Sequence, residues 1–442
     1  MISHAPSPSR RPLSRRAAPI APSAASLLGV ALLVLCAPAA VAAITPAEQE
    51  GALQRETQAL VDELVPRVAA LYGFARPLPV RVEATTRSKL GALVLPSLRE
   101  VYGEDGLRRS ARMAAALGLL PDGYDLEAGM VEMVLAVMGG GYDPARDVFY
   151  VLADLPPELQ DATQRRMVAA HEVTHALEDQ ASEMLVHQRR GATDWDYEFL
   201  YNCVAEGAAY LTMMAVVGET SLDQAADPTE LLLGTQRQLE TAPGFEPFAR
   251  APRYLQDQLF AHAVTGIAFL RQWVRLHPGQ GPATLFAQLP ASSEQVLHYQ
   301  KYVENDRPAT LDLTVLDGSL PREWRPYGQV TVGERQVAAL LAEHPAVREL
   351  ASSVAAGWDG FVFRAFEDRN GGLVLLGLSA WDSADDAAEF RSAFEQVLAS
   401  RHPAGSFAME QSGSLVRIVI GVPDQELRRL ALSAMSTAAT LP

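Results

Sequence analysis

His171-Glu172-Val173-Thr174-His175 lies in a stretch without glycine or proline from 158 to 190, and the pentapeptide dictates its own local structure. Two histidines four residues apart share one face of a helix, about 6 Å from each other, and can hold one divalent ion between them. Glu172, one residue after the first histidine, stands at the rim of that face. From there its carboxylate can take a proton from water polarised by the ion. The helix is expected to run from about Glu158 to His187. Upstream, Gly139-Gly140-Gly141 and the turn residues Tyr142-Asp143-Pro144 lead into a strand over Asp147 to Leu152, giving strand, short loop, metal helix. That strand is either an edge that receives a peptide backbone or an ordinary β-to-α connection.

Two histidines leave a zinc site incomplete, because a catalytic site uses three protein ligands and one open position. Glu206 is the only acid in the apolar stretch from Cys203 to Met214. An ionised carboxylate in that setting costs several kcal/mol unless it is paired or bound to metal. Gly207 beside it allows close helix approach, and the interval from His175 is long enough for one helix to end and the next to cross it. His171, His175 and Glu206 are therefore the candidate ligands; the competing reading of Glu206 is a buried acid paired with arginine. Asp194, Asp196 and His298 are the replacements if Glu206 is not a ligand. A ligand histidine usually donates its second ring N–H to a carboxylate or carbonyl. Asp179, four residues after His175 and next to Glu178, is the expected partner. The donor set suits Zn2+, one per chain, and would also accept Mn2+, Co2+ or Fe2+.

The N-terminus reads as an export signal over residues 1–43. Arg10, Arg11, Arg15 and Arg16 form a basic region, Ser26 to Leu35 is apolar, and Ala40-Val41-Ala42 fits a cleavage site. The expected product is exported, periplasmic or extracellular. Lipid attachment at Cys36 is disfavoured by the bulk of Leu35 before it. Removing the leader takes the formal net charge from −16 to −20, which argues against nucleic acid or an anionic membrane as partner. No later segment reaches eighteen apolar residues without a charge, so no integral membrane segment is expected in the mature chain. Cys203 is the one cysteine left, which excludes an intrachain disulfide.

Helical periodicity dominates from Pro46 to about 353, with Pro66 and Pro96 as expected kinks and a short strand near Pro79 to Glu83. After Gly357-Trp358-Asp359-Gly360 the period changes. Asn370-Gly371 marks one hairpin, Ser412-Gly413 a second, and Ser383 and Asp424 start a helix after each. The expected architecture is a mainly α domain with a small β component over 44–353, followed by a small α/β accessory domain of ββαββα order over 357–437.

With these pieces in place, the chain resembles the gluzincin group of zinc metallopeptidases, whose third ligand is a Glu on a second helix. It is more closely similar to a group of exported bacterial HExxH proteins. The shared pieces are Gly140 to Pro144, His171 to Gln180, Glu206 to Ala209, the Glu-Gln-x-Leu-His run Glu294 to His298 with Lys301-Tyr302, and the Gly-Trp-x-Gly turn Gly357 to Gly360. The resemblance implies a zincin-like α+β catalytic domain, a protein or peptide substrate, and hydrolysis with Glu172 as general base. A further donor is needed for the oxyanion, and His298, Tyr302 and His262 are the candidates, with His298 inside the resembling motif. One departure is clear: where the gluzincins often carry an Asp four residues after the ligand Glu, this chain has Tyr210. The alternative from another class is a secreted binding or envelope-structural protein that keeps the zinc site without turnover.

Overall fold

The computed structural model describes residues 46–155, 161–422 and 424–436. The leader with Cys36 and the start expected near Glu158 lie outside the described residues. Helix α1 (Pro46–Tyr72) is followed by β1 (Val82–Thr85), α2 (Arg87–Tyr102), α3 (Gly106–Leu117) and α4 (Leu126–Val137). Pro66 and Pro96 sit inside α1 and α2, which run on past them. Next come β2 (Gly140–Asp143), β3 (Val148–Leu152), α5 (Ala162–Ser182), α6 (Met184–Gly191) and α7 (Trp195–Val217). The helical body closes with α8 (Thr229–Leu239), α9 (Glu246–Arg250), α10 (Arg253–Leu276), α11 (Pro282–Phe286), α12 (Ser293–Leu297) and α13 (Tyr299–Glu304).

Helix α5 begins where the Asp161 side chain accepts from the N–H groups of Thr163 and Gln164. It ends earlier than His187, because Glu183 takes a left-handed φ of 55°. Asp179 then accepts the Met184 N–H at 2.8 Å, and the chain restarts as α6. Helix α7 is the axis of this body, with α10, α5, α6, α12 and α1 packed around it. It is, among the described residues, the one helix long and apolar enough to cross a membrane, and 89% of its most apolar window is buried inside the fold. Its most extensive contact is with α10. A Cβ on Gly207 would lie 2.4 Å from the Gly266 carbonyl carbon, so two glycines face each other at the crossing. The close approach expected from Gly207 is thus made to α10.

The first sheet has the order β1-β3-β2, with β1 parallel and β2 antiparallel to β3. Of the two readings of β3, an edge or an ordinary β-to-α connection, the edge does not hold, since β3 is the central strand. The edge toward the metal helix is β2, which the sequence presented as a glycine run and a turn. Gly140 is needed there: a Cβ would stand 3.1 Å from both Val168 Cγ1 on α5 and the Tyr150 carbonyl oxygen.

The C-terminal unit contains β4 (Arg325–Thr331), α14 (Glu334–Ala342), α15 (Ala351–Ala355), β5 (Trp358–Glu367), β6 (Leu373–Trp381), α16 (Ala384–Arg401), β7 (Phe407–Ser412), β8 (Leu415–Ile420) and α17 (Gln425–Met435). Its antiparallel sheet has the order β4-β5-β6-β8-β7. The two hairpins and two helices follow the expected order, and β4 joins them from upstream. That strand, Arg-Pro-Tyr-Gly-Gln-Val-Thr, is a half-exposed edge without apolar alternation, which is why its sequence carries no strand signal. The sheet buries both faces. Phe361, Phe363, Leu375 and Ile418 join Phe390 and Phe394 of α16 in the main core. Val362, Phe366, Leu376 and Val419 meet Leu313, Leu316 and Met435 in a second cluster. Trp358 is 1% exposed, and its indole N–H donates to the Val332 carbonyl at 2.9 Å.

Candidate metal centre

His171 and His175 project from one face of α5 with their Nε2 atoms 3.1 Å apart. Glu206, in the middle of α7, brings one carboxylate oxygen to 3.5 Å from His171 Nε2 and the other to 3.7 Å from His175 Nε2. The three ligand atoms all lie within 4.8 Å of one another and all three residues are buried. Two imidazole nitrogens facing each other and a carboxylate cannot be satisfied by the protons of neutral rings alone. A shared cation satisfies all three. The charge balance points the same way, since Glu172, Glu178 and Glu206 bury three carboxylates around two imidazoles.

Electrostatics follow from this crowding. Burial lowers the His175 imidazole, but Glu178, Glu206 and Glu172 outweigh it and carry the ring up to about 9. Burial dominates at His171 and holds it below its ordinary value. Burial would raise the Glu206 carboxyl, yet the two imidazoles keep it low. At His175 the direction marks surrounding carboxylates that favour positive charge, and at Glu206 it keeps the carboxyl ionised, the form that binds a cation.

The carboxylate on His175 is Glu178, with Oε2 3.3 Å from Nδ1. A proton on Nδ1 leaves the Nε2 lone pair facing the other ligands. Tyr201 of α7 donates its hydroxyl to the same Glu178. Asp179, expected in this role, instead accepts from the Tyr142 hydroxyl at 2.8 Å and from the Met184 N–H. Three residues of helix bring Glu178 over the outer edge of the ring, and the next position turns toward β2. His171 is packed edge-on against the Tyr210 ring, with centroids 4.7 Å apart. That tyrosine stands where gluzincins often have an acid. The base candidate, Glu172, is 0% exposed, and its Oε2 accepts the Tyr142 backbone N–H at 2.7 Å.

His298, Tyr302, Asp194 and Asp196 are engaged elsewhere. His298 is held by Glu334 at the start of α14, 2.8 Å away. Tyr302 packs against Phe269 with ring centroids 5.2 Å apart. Between them, Lys301 reaches Glu294 as well as Asp382 at 2.9 Å, so the Glu294-to-Tyr302 motif ties the helical body to the C-terminal sheet. His262 on α10 is fully buried and is driven down to about 3 by burial, against the pull of Glu206. Asp194 caps α7 through the Tyr197 N–H, and Asp196 accepts from the Ser293 backbone N–H at 3.0 Å. A surface cleft of about 790 Å³, lined among others by Arg108, Arg112, Tyr124, Glu127, Leu373 and His402, includes no residue of the triad. The chemistry sits in the closed centre, because that is where buried donors converge.

Sequence reasoning missed Tyr142 and Tyr201. A tyrosine inside the Gly140-to-Pro144 run was the available signal for the first; nothing local marks the second. Altogether, the buried His171-Glu172-x-x-His175 and Glu206 arrangement is a site able to chelate a divalent ion and support metal-activated hydrolysis of a peptide bond, consistent with a gluzincin-like metallopeptidase. A family model described as a domain of unknown function (DUF8575) matches residues 325–431, from the first strand of the C-terminal sheet into its last helix and outside the triad. No curated protein and no solved structure matches the chain.

Proposed function

We propose that this chain is an exported zinc-dependent endopeptidase. The observation that carries the reading is the convergence of His171, His175 and Glu206 beside an acid, Glu172, on the same helix as the two histidines. One zinc ion per chain, held by those three side chains, would supply the Lewis acidity that polarises a scissile carbonyl and makes water a nucleophile. Glu172 takes the proton of the attacking water as its oxygen adds to the carbonyl carbon, then passes it to the departing amine as the C–N bond breaks. Tyr142 orients Glu172 through its backbone N–H, and Glu178 fixes the His175 tautomer. Export is supported by the basic, apolar and small-residue order of the first 43 residues. We assign the complete reaction to the helical body that carries α5 and α7, and an accessory, stabilising role to the C-terminal unit that starts at β4.

One observation favours a second reading, a protein that keeps the ion for stability without turnover: His171, Glu172 and His175 are at most 2% exposed. Hydrolysis of casein by the zinc-loaded protein separates the two. The proposal expects cleavage that stops with chelator and in Glu172→Gln. Cleavage that survives both overturns the mechanism, and zinc binding without cleavage of casein or a diverse peptide library supports the second reading.

A further inference from the structure

The edge strand beside the metal helix carries a set of hydrogen bonds centred on one residue. Tyr142 is fully buried. Its backbone N–H is directed at Glu172 and not at the neighbouring strand β3. Its hydroxyl oxygen lies 2.8 Å from Asp179 Oδ2 and 2.9 Å from Asp147 Oδ1. Glu172 and Asp179 both belong to α5, about two turns apart, so one helix grips both ends of the same tyrosine. Asp147 adopts a left-handed φ of 54° in the turn from β2 to β3, a conformation that non-glycine residues adopt at a cost. Nearby, Asp143 is held by Arg146 at 2.6 Å and accepts the Ala145 N–H at 2.9 Å, which fixes the rest of that turn.

A phenol has one proton to donate. Its hydrogen bond is therefore shared between Asp147, which is exposed, and Asp179, which is half-buried. Packing alone does not call for a phenol between two carboxylates, because phenylalanine would fill the space without it. The arrangement gains sense from what the other end of the residue does.

We propose that Tyr142, clamped by Asp147 and Asp179, is a positioning residue for Glu172. The clamp pins β2 to α5, so that the Tyr142 N–H holds Glu172 Oε2 and the carboxylate keeps one orientation toward the substrate water. This rests on the reading of Glu172 as the general base. It also accounts for the Gly-x-Tyr-Asp-Pro run: Gly140 allows β2 to lie on α5, Tyr142 sets the base, and Asp143-Pro144 closes the turn.

The test measures kcat and KM for casein hydrolysis, zinc content and melting temperature for the zinc-loaded Tyr142→Phe, Asp179→Ala, Asp179→Asn and Glu172→Gln forms. Tyr142→Phe and Asp179→Ala should lose about 10- to 100-fold in kcat with KM and zinc content unchanged. Asp179→Asn should stay within about threefold of wild type, since its amide oxygen can still accept the Met184 N–H while its amide N–H donates to the phenol oxygen. A merely structural role predicts no such rescue and no split between kcat and KM. Wild-type kcat in Tyr142→Phe, equal losses in the Asn and Ala forms, or losses traced to zinc content overturn the inference. Should Tyr142→Phe misfold, the Asp179 pair decides; misfolding of all three counts against it. If Glu172→Gln is inactive and Tyr142→Phe is not, this inference fails alone. If Glu172→Gln remains active, the proposed function fails first.

Discussion

Replacing Gly266 with alanine should destabilise the protein, although alanine is the better helix former. A Cβ at this position would lie 1.8 Å from the Cys203 carbonyl oxygen and 3.0 Å from the Gly207 nitrogen. Both obstacles are backbone atoms of α7 and cannot rotate away. Non-bonded heavy atoms settle at about 3.5 Å or more, so the two helices must part by more than about 1 Å along the most extensive helix contact in the fold. Alanine recovers about 1 kcal/mol of helix propensity, while overpacking of this kind costs about 1–3 kcal/mol and more where backbone must move. The expected net loss is about 2 kcal/mol, a few degrees in melting temperature. Gly234 in α8 is the control with opposite sign. A Cβ there would have Arg237 Nη2 as its nearest neighbour, at 3.9 Å, so Gly234→Ala should gain about 0.5–1 kcal/mol. Thermal unfolding is read with and without metal. Because Gly207 follows Glu206, parting the seam also displaces the third ligand, and Gly266→Ala should lose part of the stabilisation by metal. A Gly266→Ala protein as stable as wild type, or one that gains alongside Gly234→Ala, refutes the close crossing.

Three further outcomes follow from the same contacts. Glu178→Gln should weaken zinc affinity about tenfold, measured by competition with a chromophoric chelator, because the carboxylate that raises His175 basicity is gone; unchanged affinity removes Glu178 from the site. Lys301→Ala removes the ammonium that bonds Asp382 and Glu294, which is 1% exposed and which burial raises to about 8; losing those charge-assisted bonds should cost about 1.5–3 kcal/mol, seen as a lower urea midpoint, and a loss below about 0.5 kcal/mol would mean the junction does not depend on this lysine. Burial, with the charge of Asp194, raises Asp196 to about 7 against the bonds from Ser293. The folded state therefore keeps a proton that an unfolded carboxyl, near 3.9, has released, and stability falls as pH rises from about 4 to 7, by at most about 1.4 kcal/mol per unit. Asp196→Asn should abolish that slope, and an identical pH profile in both proteins would contradict the assignment.

What could be read in the sequence was what is local. The i, i+4 histidines, the lone acid in an apolar helix, the Ser383 and Asp424 caps and the Asn370-Gly371 turn each act within a few residues, and the structure has helix, ligand cluster and hairpins at those places. What could not be read depends on partners far along the chain. His298 looked like a candidate at the site until Glu334, thirty-six residues on, took it up. Strand β4 gains its identity only by pairing with β5. The choice between Glu178 and Asp179 turns on a fraction of a helical turn, and β2 decides it by presenting Tyr142 to Asp179. Even so, a single buried acid beside Gly207 sufficed to find the third member of the cluster.

Everything proposed for the reaction depends on His171, His175 and Glu206 holding one zinc ion. Anomalous diffraction at the zinc edge from crystals of the protein grown without chelator tests it directly. The expected result is one strong peak per chain, about 2.0–2.2 Å from His171 Nε2, His175 Nε2 and a Glu206 carboxylate oxygen. A peak coordinated by other side chains, or zinc-replete crystals with no peak between α5 and α7, would contradict it.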